Sequence, residues 1–256
     1  IMSFSQFAAP AKDPALEAAF KKRASGITPD AIATIVYTSG TTGQPKGAVL
    51  THSNLTAELR SVVRSLGIVS GDITLAFLPF AHILARIESL IPVFSGTTLG
   101  FAENINTVTQ NILELRPSVL VAVPRIYEKI YANIQSQVSA QPPFRQSIFR
   151  WATQVGRQVA RMRSEHKTVP LALQMKYKIA DQLVFTKIRA KLGGRIRFSI
   201  SGGAPLSPTL CEFFHACGIP ILEGYGLTET TGAVTINRLE DYSFATVGKP
   251  MDGMII

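Results

Sequence analysis

The sequence predicts an α/β protein built from layered, mixed sheets flanked by helices, with a mainly helical insertion at about 125–192. Short apolar runs alternate with helical segments on both sides of that insertion, a pattern typical of α/β folds. Within the insertion, long helical stretches replace the alternation. Hydrophobic residues are 46% and charged residues 17% of the 256 residues, which excludes an intrinsically disordered chain.

The first half of the chain is predicted to surround a polar loop with short strands. A polar helix at 11–23 precedes an apolar run at 31–37, whose Ile, Val and Tyr residues indicate a buried strand. Ser53 is the predicted cap of the next helix, and Gly67 is its predicted end. The other predicted elements are strands at 48–51, 73–78, 97–101 and 119–123, and helices at 53–66, 82–91 and 107–116.

Prolines divide the helical insertion, because proline disrupts a helix interior. Pro142, Pro143 and Pro170 separate helices predicted at 125–139, 144–166 and 170–192. After the insertion the α/β alternation returns. It consists of a strand at 195–201, a glycine turn, a helix at 207–216 and a strand that begins at 220–223.

The net charge of +9 is concentrated in one stretch of the chain. Residues 121–200 hold 15 Lys and Arg against 3 Asp and Glu, whereas 201–256 hold 2 against 6. Such a stretch is compatible with binding to nucleic acid, anionic lipid or a polyanionic substrate, and equally with solvated helix faces. Trp151 lies among its arginines, either as an anchor at a membrane interface or as a half-buried side chain.

Several functional classes lack their sequence signals. Two cysteines cannot form a disulfide-rich scaffold, no apolar run is long enough for a spanning helix, and the first residues do not resemble a signal peptide. A cytoplasmic location is therefore expected. Neither a nucleophile elbow nor a zinc-binding His-Glu-x-x-His helix is present. The apolar neighbours of Cys211, His215 and Cys217 favour a buried helix face over a metal site.

The loop at 37–47 reads Tyr-Thr-Ser-Gly-Thr-Thr-Gly-Gln-Pro-Lys-Gly. Its glycines allow the backbone amides to approach a ligand, its hydroxyls can donate to phosphate oxygens, and Lys46 adds a positive charge. It is not a Walker loop, because Lys46 is followed by Gly47 instead of Ser or Thr. The predicted phosphate-binding residues are Thr38, Ser39, Gly40, Thr41, Thr42, Gly43 and Lys46.

Three further segments contain candidate binding residues. In Tyr225-Gly226-Leu227-Thr228-Glu229-Thr230, the aromatic ring can stack on a base, Thr228 can bond a phosphate and Glu229 can bind Mg²⁺. Ser201-Gly202-Gly203-Ala204-Pro205-Leu206 forms a tight turn between a strand and a helix. His82, in Leu78-Pro79-Phe80-Ala81-His82-Ile83, is a candidate for steering a carboxylate or else a structural histidine.

These segments together resemble the adenylate-forming superfamily of acyl-CoA synthetases, luciferases and peptide-synthetase adenylation domains. The resemblance implies that the loop at 37–47 binds pyrophosphate, that Thr228 contacts the AMP phosphate and that Glu229 holds the metal. It further implies an adenine pocket lined by Gly202, Gly203, Ala204, Pro205, Glu223, Gly224, Tyr225 and Gly226, with His82 near the acyl carboxylate. Lys46, Thr228, Glu229 and His82 are the implied catalytic residues.

The segments 123–129 and 195–198 and the long helical insertion are similar to bacterial long-chain fatty acid–CoA ligases. That resemblance implies activation of a fatty acid with ATP and Mg²⁺, followed by thioester formation with CoA. Two alternatives remain, an acyl-AMP ligase that loads a carrier protein and a basic module for nucleic acid or membrane; no nucleic-acid partner is expected. Residues 1–256 are expected to be part of the N-terminal domain, without the C-terminal domain. Residues 125–197 are expected to contact the inner face of an anionic membrane.

Overall fold

The computed structural model describes residues 14–39 and 43–256. The predicted α/β class with mixed sheets is confirmed. Strands β1 and β2 form an antiparallel pair, β3 and β4 a parallel pair, and β5 to β9 a five-stranded mixed sheet. The strands are β1 Ile32–Thr38, β2 Lys46–Thr51, β3 Ile73–Ala76, β4 Thr98–Phe101, β5 Val119–Ala122, β6 Phe198–Ser201, β7 Ile221–Leu227, β8 Gly232–Ile236 and β9 Lys249–Pro250.

The helices follow the predicted order. They are α1 Pro14–Ser25, α2 His52–Leu66, α3 Ile83–Ser95, α4 Val108–Leu115, α5 Pro124–Ser139, α6 Pro143–Ser164, α7 Leu171–Ala180, α8 Thr186–Ala190 and α9 Pro208–Ala216, with a π-helical turn at Asp181–Phe185 between α7 and α8. The helical insertion is thus confirmed, although its third stretch is interrupted by the π turn. Among the described residues, no helix has the length and hydrophobicity needed to cross a bilayer.

The burial predicted for the strand at 31–37 is wrong. In β1 only Val36 is buried, while Ile35 and Tyr37 are exposed. The reason is that, among the described strands, β1 pairs only with β2, in a hairpin with Val36 opposite Ala48 and Thr38 opposite Lys46. A two-stranded hairpin can bury only one of its faces, so alternate apolar side chains remain in solvent.

Two predicted helix boundaries are also wrong. The N-cap of α2 is Thr51 rather than Ser53: the Thr51 hydroxyl accepts from the Asn54 amide, and the Asn54 side chain accepts from the Thr51 amide. Helix α3 does not stop at 91, because Pro92 removes one helical hydrogen bond without preventing a further turn, which Gly96 then ends. Gly67 does end α2, in the left-handed conformation expected of a C-cap glycine.

The parallel strands β5, β6 and β7 align the segments that follow them. Ala122 pairs with Ser201, and Ser201 pairs with Glu223, so all three strands end at the same edge of the sheet. Ligands in α/β proteins bind outside the carboxyl ends of such strands. Strand β7, whose start was predicted at 220–223, runs to Leu227 and turns back into β8, which pairs antiparallel with it.

Two layers of apolar side chains hold the sheet. On one side, α5, α6 and α9 surround fully buried aromatic rings, and the Tyr127 hydroxyl donates to the carbonyl of Ile200 at 2.8 Å. On the other side, α2 and α3 pack against β5 and β6. Cys211, His215 and Cys217 are buried, with His215 Nε2 bonded to the Ile221 backbone, so the predicted helix core is confirmed. No metal-ligand cluster occurs among the residues described.

Glu88 lies on the buried face of α3 with one oxygen satisfied. Its Oε1 accepts from the Thr74 hydroxyl at 2.5 Å, whereas its Oε2 has no partner. Burial raises the pKa of Glu88 to about 8, and the Thr74 hydrogen bond opposes that shift. An unfolded chain would release this proton near the ordinary glutamate pKa. The folded state therefore loses stability as the pH rises from about 4.5 to 8.

Replacing Glu88 with Gln is expected to remove this pH-dependent cost. Gln keeps an acceptor for Thr74 but has no proton to lose. The variant should gain up to about 4 kcal/mol of unfolding free energy relative to the native protein at pH 9, and much less at pH 5. Urea unfolding at both pH values measures the difference. An equal difference at pH 5 and pH 9 would contradict this account of Glu88.

Candidate functional site

The predicted phosphate-binding loop at 37–47, called the phosphate loop below, connects β1 and β2, and the structure describes its residues 37–39 and 43–47. Thr38 is the last residue of β1 and Lys46 the first of β2, and the Thr38 hydroxyl donates to the Lys46 carbonyl at 3.4 Å. Lys46 is exposed, and its ammonium makes no ion pair or hydrogen bond with any described residue. Gly40, Thr41 and Thr42 lie outside the described residues. The hairpin thus holds, beside the ends of the loop, a lysine whose ammonium has no partner in the described part of the chain.

The predicted adenine-pocket segments lie next to each other. Gly202 follows β6 and Gly224 continues β7, and these strands are parallel neighbours. Glu223 joins the two segments, because its buried Oε2 accepts from the Leu206 amide at 3.2 Å. Burial raises the pKa of Glu223, and this hydrogen bond opposes the shift. Glu223 therefore holds the 202–206 turn in place, while the backbone of Gly203 and Ala204 remains exposed.

Tyr225 lies on β7, the neighbour of the strand that precedes that turn. The residue is 50% exposed, which leaves its ring accessible for stacking on a planar base. Gly226 directly follows at a bulge in the β7–β8 pairing. A Cβ at Gly226 would lie 1.9 Å from the Gly232 carbonyl oxygen, a distance that no side chain can occupy. The close approach of the two backbones therefore requires glycine at 226.

Thr228 and Glu229 occupy the turn between β7 and β8. The Thr230 hydroxyl closes this turn: it accepts from the Leu227 amide at 2.9 Å and donates to the carbonyls of Leu227 and Gly232. Glu229 is exposed and its carboxylate has no partner among the described residues. A free carboxylate with a neighbouring hydroxyl suits Mg²⁺, which prefers oxygen ligands and keeps several waters.

His82 caps the start of α3 without bonding the helix through its side chain. The imidazole is exposed and free of described partners. Two residues later, Leu84 lies against the 202–206 turn, because a Cβ on Gly202 would be 3.6 Å from Leu84 Cδ2. The structure thus brings the start of α3 to the same sheet edge as the predicted adenine pocket.

Arg86 was not identified from the sequence, although it links two of the candidate segments. Its Nε and Nη2 donate to the Phe80 carbonyl at 3.3 and 3.2 Å, and its Nη1 donates to the Thr34 hydroxyl. Phe80 precedes His82, and Thr34 lies on β1 of the phosphate-loop hairpin. One side chain therefore fixes the His82 segment against that hairpin.

Glu58 was also missed, although the sequence contains a signal for it. On α2 it lies among Leu55, Leu59 and Val62, so a carboxyl interrupts a mainly apolar face. Only 1% of the residue is exposed. Its Oε1 accepts from the Ala233 amide on β8 at 2.8 Å. Helix α2, which begins at the end of β2, is therefore bonded to the strand that follows the Thr228–Glu229 turn.

The amino-acid sequence that contains these candidate segments matches a known family model. Residues 3–256 match the family described as AMP-binding enzyme. The chain belongs to this family. The resemblance to adenylate-forming enzymes inferred from the sequence is thereby confirmed. In this member of the AMP-binding family, the described candidate residues lie around the ends of β6 and β7 and on the β1–β2 and β7–β8 hairpins. The role of each residue remains a prediction.

Relatives of this AMP-binding chain include named ligases. It is 40% identical over 223 residues to long-chain-fatty-acid–CoA ligase FadD15 of Mycobacterium bovis, covering 86% of this chain and 37% of that protein. It is 39% identical over 224 residues to the peroxisomal long chain acyl-CoA synthetase 6 of Arabidopsis thaliana, covering 87% of this chain and 30% of that protein. The chain therefore spans about a third of the length of these relatives.

Solved structures support the fold. ATP-bound MatB from Rhodopseudomonas palustris matches with a TM-score of 0.59 and 26% identity, over 88% of this chain and 35% of that one. The N-terminal domain of FACL13 from Mycobacterium tuberculosis matches with a TM-score of 0.58 and 23% identity, over 87% of this chain and 44% of that one. The second likeness concerns the fold alone.

Proposed function

We propose that the complete protein activates a long-chain fatty acid with ATP and transfers the acyl group to CoA. The observation that carries this proposal is the placement of a free lysine and a free carboxylate on two hairpins joined through α2. The relatives named as long-chain ligases support the choice of substrate. We also propose that residues 1–256 form part of the N-terminal ATP- and acyl-binding domain.

In the first step, a carboxylate oxygen of the fatty acid attacks the α-phosphorus of ATP. The bond from that phosphorus to the bridging oxygen breaks, and pyrophosphate leaves with its electron pair. Negative charge accumulates on the phosphate oxygens, where Lys46 and the amides of the phosphate loop stabilise it. Thr228 donates to the α-phosphate, and His82 orients the incoming carboxylate. In the second step, the CoA thiolate attacks the acyl carbon and AMP leaves.

The residues present fit a magnesium ion that accompanies ATP. Glu229 supplies an exposed carboxylate with no described partner, which can replace one water of a hydrated ion. When bound, the ion would neutralise charge on the phosphates. The chain's own part is to hold Glu229 in a turn that Thr230 closes, with Tyr225 and the 202–206 turn positioning the nucleotide.

The decisive test is pyrophosphate exchange into ATP by the complete protein. Exchange is expected to depend on a long-chain fatty acid and on Mg²⁺, and to be absent with short carboxylates. Acceptor identity is tested separately, with CoA and with an acyl carrier protein offered to the preformed adenylate. Transfer to the carrier protein alone would replace the CoA ligase with an acyl-AMP ligase. Absence of exchange with every carboxylate tried would refute the proposal.

We further propose a peripheral contact between 125–197 and the inner face of an anionic membrane. Its basic excess is accompanied by an exposed apolar row on α7, in which Leu171 is 75% and Met175 58% exposed. Trp151 is half-buried against the helical core, so the contact does not use it as an anchor. The complete protein should sediment with vesicles that contain phosphatidylglycerol more than with phosphatidylcholine alone. Equal sedimentation with both vesicles would refute this contact.

A further inference from the structure

Helix α2 connects the two hairpins on which the proposed chemistry depends. Its first residue follows directly on β2, so its N-terminus moves with the phosphate-loop hairpin. Its body is bonded to the β8–β9 region at several points. Glu58 accepts from Ala233, Ser61 donates to the Asp252 carbonyl at 2.7 Å, and Arg64 pairs with the Asp252 carboxylate at 3.2 Å.

Of these bonds, the one between Glu58 and Ala233 lies beside the turn that contains Thr228 and Glu229. Ala233, its donor, pairs with Gly226 across the hairpin, and Gly232 pairs with Leu227. The carboxyl also fits tightly against the backbone, since a Cβ on Gly232 would lie 2.5 Å from Glu58 Oε1. Gly232 has a φ of 146°, which disfavours any other residue there. The carboxyl of Glu58 and the end of the turn are therefore in direct contact.

We propose that Glu58 is a positioning residue, which fixes the Thr228–Glu229 turn relative to the phosphate-loop hairpin through its hydrogen bond to Ala233. This inference rests on the proposed function, in which those two elements bind the same nucleotide and metal. Glu58 touches neither substrate nor metal in this scheme. It sets the distance between the groups that do.

The ionisation of Glu58 makes this contact sensitive to pH. Burial raises its pKa to about 7, and the Ala233 hydrogen bond opposes that shift. Arg60 and Arg64 lie on α2 with Glu58 and are exposed, and Arg64 pairs with Asp252. On α3, Glu88 bonds to Thr74 and Arg86 to Phe80. Strand β8 carries no charged residue and β2 only Lys46, at its far end. Above pH 7 the ionised carboxylate has no counter-charge among the described residues, and its Oε2 has no partner there. The Ala233 amide bonds the ionised form more strongly, but the larger cost of burying the charge favours separation of α2 from β8, so the contact is made less often.

Steady-state adenylation by the complete protein tests the proposal between pH 6 and pH 8.5. The KM for Mg·ATP of the native protein should rise about five-fold across this range, with a smaller change in kcat. Glu58→Gln keeps an acceptor for Ala233 without an ionisable group, so its KM should stay nearly constant. Glu58→Ala should raise the KM about ten-fold at every pH, since the hydrogen bond is lost.

Glu88→Gln is the matched control, because Glu88 is a second buried carboxyl with a raised pKa, and its hydrogen bond goes to Thr74 on β3 instead of to the β7–β8 hairpin. Its KM for Mg·ATP should follow the native pH profile. Identical profiles for native protein and Glu58→Gln, or a native KM in Glu58→Ala, would overturn the positioning role. Hydrogen exchange of the Ala233 amide supplies a readout independent of activity. If the Ala233 amide exchanges faster in Glu58→Ala but the native protein forms no adenylate, the structural contact is supported and the proposed function is refuted.

Discussion

Replacing Lys46 with Ala is expected to lower kcat for adenylate formation in the complete protein by two to three orders of magnitude. Lys46 lies where the phosphate loop meets β2, exposed and without a described partner, so its charge is available to a ligand. Removing one group that stabilises developing charge costs about 10²–10³ in rate. The fold should be unaffected, because Lys46 makes no side-chain bond in the described structure. Stopped-flow release of pyrophosphate measures the effect.

Lys21→Ala is a suitable control for this experiment. Lys21 is also an exposed lysine, but it lies on α1 and pairs with Glu17 four residues away, an interaction worth little to stability. Its rate should equal that of the native protein. A pyrophosphate release rate in Lys46→Ala within two-fold of the native rate would exclude the role assigned to Lys46.

Local chemistry explains which parts of the fold were predictable. The α/β alternation, the helical insertion and the Gly67 cap follow from short-range patterns of apolar residues, prolines and glycines. The burial of β1 did not follow, since an apolar run of that length fits a central strand as well as one side of a hairpin. Its exposure depends on pairing with β2 alone, a tertiary fact that no local window contains.

The same distinction applies to the candidate site. The candidate ligand-binding residues were visible as unusual local mixtures, such as hydroxyls with glycines or a threonine beside a glutamate. Residues that join these segments were not, because Glu58 and Ala233 are distant in sequence and Arg86 acts through a backbone carbonyl. A carboxyl on a mainly apolar helix face was the available signal for Glu58. Its partner could be found only from the structure.

Gly226→Ala is the second substitution with a large expected effect. The added Cβ would lie 1.9 Å from the Gly232 carbonyl oxygen and 2.6 Å from Ala233 Cα, both in backbone. Backbone atoms cannot move aside as the end of a flexible side chain can, so β7 and β8 must separate at the bulge. The Thr228–Glu229 turn would then move away from the phosphate loop, because Glu58 holds β8 and not β7. Adenylate formation should fall at least about 100-fold, as a displacement of about 1 Å can cost that much.

Gly71→Ala is a control that distinguishes this steric effect from the loss of backbone flexibility that any Gly→Ala substitution causes. A Cβ on Gly71 would meet nothing within 4 Å, and its φ lies outside the left-handed region. Gly71→Ala should therefore keep native activity and unfold within about 0.5 kcal/mol of the native protein. Gly226→Ala should unfold more easily by about 2 kcal/mol or more, in the range of substitutions that force backbone strain. Native activity in Gly226→Ala would mean that the two strands can separate without displacing the turn, and that the hairpin is not what positions Thr228 and Glu229.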